Sequence, residues 1–227
     1  MTHDKLRVIS AKDLGKLAMP DFCPRCFWLE RHLGNPPSIF PGIFSTLDAV
    51  TKRNVHWCFS KNRTLPSWLS VPDAVEVEED DINFKLPVRD KGWVLVGKPD
   101  DIFKLRDGTY HIVDYKTAKF TGRQDELFPM YRIQLNAYAY LAEKYGFEPV
   151  RKLSLIYCQP NEDLDDHNDF RLSFQTYHLE IPLELERVPE LLAQAREIID
   201  QSEIPEATYD CKGICRWMEE VLLKIQN

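Results

Sequence analysis

The apolar positions of this chain change their spacing several times, and each change marks a boundary between elements. Residues 9–19 carry apolar groups at helical spacing between Ser10, a good N-cap, and Pro20, a stop. A second helix is expected over 21–33, behind the turn Cys23-Pro24-Arg25-Cys26, while 34–37 and 40–42, rich in Gly and Pro, read as loop. Over 43–59 the pattern predicts a third helix. It places Phe44, Leu47, Val50 and Cys58 inward and sets Asp48, Lys52 and His56, four apart, in one polar column.

From residue 82 the β-type pattern takes over, and strands are predicted at 82–88, 93–105 and 110–119. Pro87 with 89–92 marks the first turn, and Asp107-Gly108 the second. Helical spacing returns over 126–145, interrupted early by Pro129, with Tyr131, Gln134, Tyr138, Leu141 and Tyr145 on one face. Two further strands, 151–159 and 170–181, and two further helices, 183–200 and 213–225, complete the chain. This order predicts an α/β fold, a mixed central β-sheet flanked by helices. At 227 residues one domain suffices, with its core at about 43–181 and helical additions at 1–42 and 182–227.

Composition adjusts this picture only modestly. No apolar run approaches the ~20 residues of a membrane helix, and the first residues lack an apolar signal segment, so a cytoplasmic protein is expected, with no membrane partner. The net charge of -7 argues at first against a nucleic-acid partner. Six acidic residues fall within 73–81 and five within 162–169, however, and setting these aside leaves 25 acidic against 29 basic residues. Local basic groups remain, Lys52, Arg53, Lys61 and Arg63 in one and Lys116, Lys119, Arg123 and Arg132 in another. Charge therefore excludes little.

The chemistry concentrates in residues 97–119. A hairpin turning at Asp107-Gly108 brings Asp100 or Asp101 back toward Asp114, with Lys116 two positions further on the same strand face. Tyr115 points to the opposite face, yet its main-chain carbonyl stays beside the carboxylates. Two carboxylates and one ammonium suit phosphodiester hydrolysis, which needs a hard cation, a positioned water and a positive group near the developing charge. Ordinary exposed ion pairs would be the plain alternative, and these contribute only about 0 to 1 kcal/mol each.

Pro99-Asp100 followed by Asp114-Tyr115-Lys116 resembles the PD-(D/E)XK nuclease superfamily. More narrowly, Gly97-x-x-Asp100, Val113-Asp114-Tyr115-Lys116-Thr117 and Gln134 to Tyr138 are similar to the RecB-like exonuclease branch, which includes the nuclease of CRISPR adaptation. The resemblance implies a restriction-endonuclease-like core and a Mg2+- or Mn2+-dependent DNase, an exonuclease acting on single-stranded or frayed DNA. It also implies partner proteins in DNA repair or CRISPR adaptation. By the same resemblance Asp100, Asp114 and the Tyr115 carbonyl hold the metal, Lys116 serves the water or the pentavalent phosphate, and Gln134 and Tyr138 hold the DNA backbone or the lysine. The family's early helix often presents a metal-binding His after a Gly. Here Thr46 and Asp48 follow Gly42 and His56 lies too far along, which makes Asp48 the candidate further ligand. The same departure keeps open a subunit that retains the fold and binds nucleic acid or assembles without cleaving.

Of six cysteines, Cys58 and Cys158 sit among apolar neighbours and read as small buried hydrophobes. The other four form two pairs, Cys23-x-x-Cys26 and Cys211-x-x-x-Cys215. Four thiolates suffice for Zn2+ or an iron-sulfur cluster, and either would bring the two ends of the chain together. Some RecB-like enzymes carry a terminal [4Fe-4S] cluster on one early and three late cysteines, whereas this chain has two and two. Free thiols on two helix ends are the alternative.

Overall fold

Strand β6 (Tyr110–Lys116) is buried along most of its length, and the fold is assembled on its two faces. In this computed structural model, which describes residues 6–35, 41–78, 82–122 and 127–226, it is the middle strand of a five-stranded sheet in the order β2-β5-β6-β7-β8. The other strands of that sheet are β2 (Ala74–Val77), β5 (Asp101–Leu105), β7 (Val150–Pro160) and β8 (Phe174–Ile181). β6 runs antiparallel to β5 and parallel to β7, so the sheet is mixed. The parallel pair is connected through helix α4 (Phe128–Lys144).

A second, three-stranded sheet has the order β1-β4-β3, formed by β1 (Arg7–Ser10), β3 (Phe84–Val88) and β4 (Trp93–Gly97). The strand expected over 93–105 is therefore two strands, and the expected central sheet is divided between them. Lys98-Pro99-Asp100 makes the passage. Pro99 has no N–H to give to a ladder, and at Gly97 a Cβ would lie 2.8 Å from Leu141 and 2.9 Å from Tyr138. Only a glycine lets β4 run this close under α4.

Two strands escaped the sequence pattern. β1 pairs with β4 in parallel and leads straight into the short helix α1 (Ala11–Gly15), so the predicted helix over 9–19 begins later than its pattern suggests. Ser10 does cap it, accepting the Asp13 N–H. β2 lies in the acidic stretch, where its short Val75 and Val77 alternation with Glu76 is easily taken for loop. The remaining helices are α2 (Pro24–Leu33), α3 (Gly42–Asn62), α5 (Arg187–Ile199) and α6 (Ile214–Gln226). Pro129 falls in the first turn of α4, where its missing N–H has no helical partner to lose, so it opens this helix rather than breaking it. Pro36, Pro37, Phe40, Asp80, Asp81, Arg123 and Glu126, all within the expected loops, charge clusters or helix start, lie outside the described residues.

Alternation along β6 splits the core. Ile112 joins Leu153, Leu155, Leu135 and Leu141 beneath α4, in a cluster that also takes Trp93 and Leu95 from the second sheet and Leu192 from α5. Val113 and Tyr115 face the other way, toward Phe103, Ile156, Val55 and Phe59. α3 thus buries its second half, through Val55 and Phe59, while Phe44 and Val50 remain 41% and 48% exposed. The core cluster reaches only this second half, so the inward positions expected in the first half are not core. Cys158 is buried and Cys58 half-buried.

His111, on the α3 side of β6, has its Nε2 2.8 Å from Ser154 Oγ. Burial, with Lys152 adding to it, holds its pKa down to about 4 from 6.5. Between those values the unfolded chain binds a proton that the folded chain refuses, so stability is lost as pH falls through this window. Urea midpoints are expected to fall more steeply between pH 6.5 and about 4 in the native protein than in His111→Phe. Equal slopes would remove this role.

Candidate active site

Three elements converge on the C-terminal end of β6. The residues leading into β5 supply Asp100, β6 supplies Asp114 and Lys116, and the middle of α3 supplies Asp48, Lys52 and His56. Asp100 is bound on both oxygens. Its Oδ2 accepts the Tyr115 main-chain N–H at 2.7 Å, and its Oδ1 lies 2.6 Å from Lys52 Nζ. Lys52 in turn lies 3.0 Å from Asp48 Oδ2.

Asp114 is only 3% exposed as a side chain, and its Oδ2 lies 2.5 Å from Lys116 Nζ. That contact lacks hydrogen-bond alignment, leaving this oxygen without a hydrogen-bond partner. The Lys116 ammonium also sits 4.8 Å from the centroid of the Tyr131 ring, a cation-π contact.

Two carboxylates this close in a buried place oppose each other. Burial and then the Asp114 charge push the Asp100 carboxyl up to about 7, although Lys52 and the Tyr115 N–H pull against them. For Lys116, burial alone would lower the pKa, but the Asp114 carboxylate overcomes it and holds the ammonium above its ordinary value. Lys52 is raised in the same way, against burial, by Asp100. The site therefore concentrates hard oxygen donors whose mutual repulsion a divalent cation would relieve, and this donor set fits Mg2+ or Mn2+.

Of the two candidate hairpin carboxylates, Asp100 is the one associated with Asp114. Asp101 points to the other face, where its Oδ1 meets His56 Nε2 at 2.6 Å and its Oδ2 accepts from Tyr115 Oη at 2.5 Å. This buried bridge ties α3 to β5 and β6 just behind the carboxylates. Lys52, His56 and Tyr131 were not among the expected site residues. The signal for two of them was the polar column of α3, which faces these carboxylates rather than forming a solvent stripe.

Gln134 and Tyr138, one turn apart on α4, are joined by a hydrogen bond from Gln134 Nε2 to Tyr138 Oη at 2.6 Å. Burial and then the Asp114 charge drive the Tyr138 phenol well above its ordinary pKa, which places it electrostatically beside the carboxylates. Gln134 Oε1 is buried without a hydrogen-bond partner. Tyr145 is elsewhere, bonded through Oη to the Lys85 backbone.

A cleft of about 410 Å³ opens over Lys116, bordered by Gln134 and Tyr131 on one side and by Phe44, Asp48 and Thr51 of α3 on the other. The expected basic group around Lys116 does not form a common patch: Lys119 pairs with Glu162 at 2.8 Å, and Arg132 pairs with Glu184. The four paired cysteines do meet, where α2 and α6 begin.

A family model described as the PD-(D/E)XK nuclease superfamily matches residues 27–219. Among solved structures, an alkaline exonuclease from Laribacter hongkongensis aligns over 97% of this chain and 96% of its own, with a TM-score of 0.50 and 11% identity. The same enzyme in complex with dAMP aligns over 96% and 94%, with a TM-score of 0.48 and 10% identity. A phage-related exonuclease from Haemophilus somnus aligns over 86% and 94%, with a TM-score of 0.44 and 12% identity. Among curated proteins no sequence matches significantly.

Proposed function

Because this chain belongs to the PD-(D/E)XK nuclease superfamily, we propose that it is a Mg2+- or Mn2+-dependent deoxyribonuclease, an exonuclease that hydrolyses single-stranded or frayed DNA ends. One observation carries this reading: the Asp100 carboxylate, bound to the Tyr115 main-chain N–H at 2.7 Å, is held beside the end of β6, where buried Asp114 lies 2.5 Å from Lys116 Nζ. A bound divalent ion supplies the charge that polarises a phosphate and makes a water molecule acidic. Asp100 and Asp114 would hold it, with the Tyr115 carbonyl and Asp48 completing the donors. Ser, Cys or Thr nucleophiles are not needed for such chemistry.

Without an ion the Asp114 carboxylate holds the Lys116 ammonium above its ordinary pKa, whereas a bound divalent cation would pull it down, so Lys116 can serve the water as an orienting cation or as a base. As a cation it also offsets charge on the pentavalent phosphate. Gln134 and Tyr138, joined to each other on α4, would hold either the DNA backbone or the lysine. Phe44 and Tyr131, on opposite sides of the cleft, suit unpaired bases, whose faces stack on aromatic rings. A cytoplasmic place beside DNA repair or CRISPR adaptation proteins is consistent with this activity.

End-labelled single- and double-stranded DNA incubated with manganese should be shortened from an end, faster when single-stranded, and left intact with chelator. Cleavage unaffected by chelator would refute the reading. One observation favours a second possibility, binding without cleavage: Lys52 already places a cation on Asp100. If Lys52 merely competes with the metal, Lys52→Met should lower the manganese concentration for half-maximal binding by about 3- to 10-fold, as expected for loss of an ion pair of ~1 kcal/mol. Calorimetric titration checks this, and an unchanged or weaker affinity would assign Lys52 to the substrate or the fold.

A further inference from the structure

We propose that Cys23, Cys26, Cys211 and Cys215 bind a single zinc ion as a tetrahedral tetrathiolate, a clasp that closes the two ends of the chain on each other. This inference is independent of the nuclease reading. The sulfur positions carry it. Cys215 Sγ lies 3.2 Å from Cys211, 3.3 Å from Cys26 and 3.8 Å from Cys23, Cys26 and Cys211 are 3.5 Å apart, and all four fall within 4.8 Å of one another. Zn–S bonds of about 2.3 Å at tetrahedral angles place sulfurs about 3.8 Å apart. A cubane of four irons and four sulfides is larger, and its thiolates stand apart by on the order of 6 Å. Three of these spacings are shorter than a zinc site needs and would open by a few tenths of an ångström around the ion, whereas a cluster would require every pair to move much further apart.

The backbone around the sulfurs is arranged for thiolates. The Gly213 N–H points at Cys211 Sγ at 3.3 Å, and the Cys215 N–H at Cys26 Sγ at 3.4 Å. Such donors stabilise negative sulfur and fix the ligands from outside the first bonds. Gly213 itself cannot carry a side chain here, since a Cβ would lie 2.8 Å from Cys26 Sγ and 3.4 Å from Cys211 Sγ. Cys23 and Cys215 are buried, with Leu29 and half-buried Trp28 and Met218 packed beside them, while Cys26 and Cys211 are half-buried and line a cleft open to solvent.

The position of the four residues states what the ion does. Cys23 and Cys26 open α2, and Cys211 and Cys215 open α6. Around them Arg25 Nε donates to the Pro205 carbonyl at 2.9 Å and Arg25 pairs with Glu219 at 3.0 Å. Thr208 Oγ1 donates to the Phe22 carbonyl at 2.8 Å. Two of these contacts are part-buried and the Arg25–Glu219 pair is exposed, and each is weak by itself, whereas a structural zinc contributes folding energy directly.

Elemental analysis of the purified native chain is expected to give one zinc per chain with no iron or sulfide, and no absorption near ~400 nm. Exchange with cobalt should give the intense visible bands of tetrahedral cobalt thiolate. Gly213→Val and Cys211→Ser should each reduce zinc content and expose the segment from residue 201 onward to protease. The cobalt spectrum of the native protein decides the question even if either variant fails to fold. Iron with sulfide, two disulfides between these cysteines, or a chain that binds neither zinc nor cobalt would each overturn the proposal, and none of them bears on DNA cleavage.

Discussion

Lys116→Ala is expected to lower the rate of DNA cleavage about 100- to 1,000-fold under saturating manganese, the effect of removing one preorganised charge from a reaction centre. Its side chain does not contact the family of carboxylates equally: it lies 2.5 Å from Asp114 alone, while Lys52 occupies Asp100. Removing the Lys116 ammonium therefore leaves the Asp100 side of the site intact. Single-turnover cleavage should fall, while manganese affinity holds or rises because a competing cation has gone. Lys116→Arg keeps the charge but spreads it over a planar fork, and partial activity is expected. If Lys116→Ala cleaves at the native rate, the hydrolytic role of this strand end is wrong.

Asp114→Asn should abolish manganese-dependent cleavage, again by at least about 100-fold, for the loss of a metal-binding oxygen charge. It should also leave a mark on stability in chelator. In the native chain Asp100 is raised from 3.8 to about 7, first by burial and then by Asp114. Between those values the folded protein keeps a proton that the unfolded chain releases, so this group's contribution is complete below the lower value and declines as pH rises toward 7. Asparagine removes the Asp114 share but not the burial share. The fall in urea midpoint from pH 4 to 7 should thus become shallower in Asp114→Asn. The absolute midpoint moves less predictably, because Lys116 loses its partner in the same step. An unchanged slope would mean that the two carboxyl groups do not feel each other.

Much of this site was written locally in the chain. Asp114 and Lys116 are two apart on one strand, and the Asp107-Gly108 turn folds that strand back on β5, so sequence spacing translates into space with few intermediaries. Gln134 and Tyr138 were legible for the same reason, as neighbours on a single helix face. The hairpin spacing alone left Asp100 and Asp101 both open, and it was the resemblance of Pro99-Asp100 to the family motif that chose Asp100, the one the structure sets beside Tyr115 N–H while Asp101 meets His56. The division into two sheets, by contrast, depends on α4 pressing against Gly97, a contact between residues some forty positions apart.

α3 shows the opposite case. Its period is clear, but the period gives only a set of faces, and which face is buried is decided by the elements packed against it. Phe44 and Val50 consequently looked like core and are not, while in the polar column only Asp48 was a candidate for the site, and it is Lys52 and His56 that meet Asp100 and Asp101. The four cysteines at the two ends left a shared metal and free thiols both open, and the structure brings the four together.

Asp114 pairs across the ladder with Leu155, and its neighbour Tyr115 with Ile156. Moving that pairing by one residue would thrust the carboxylate and the ammonium into the greasy side under α3 and turn the phenol toward the cleft. Such a chain could not hide as a slightly impaired protein. Correct threading of the middle strand is therefore policed by the same charges that serve at its tip, and a molecule assembled out of step forfeits its compactness along with its chemistry.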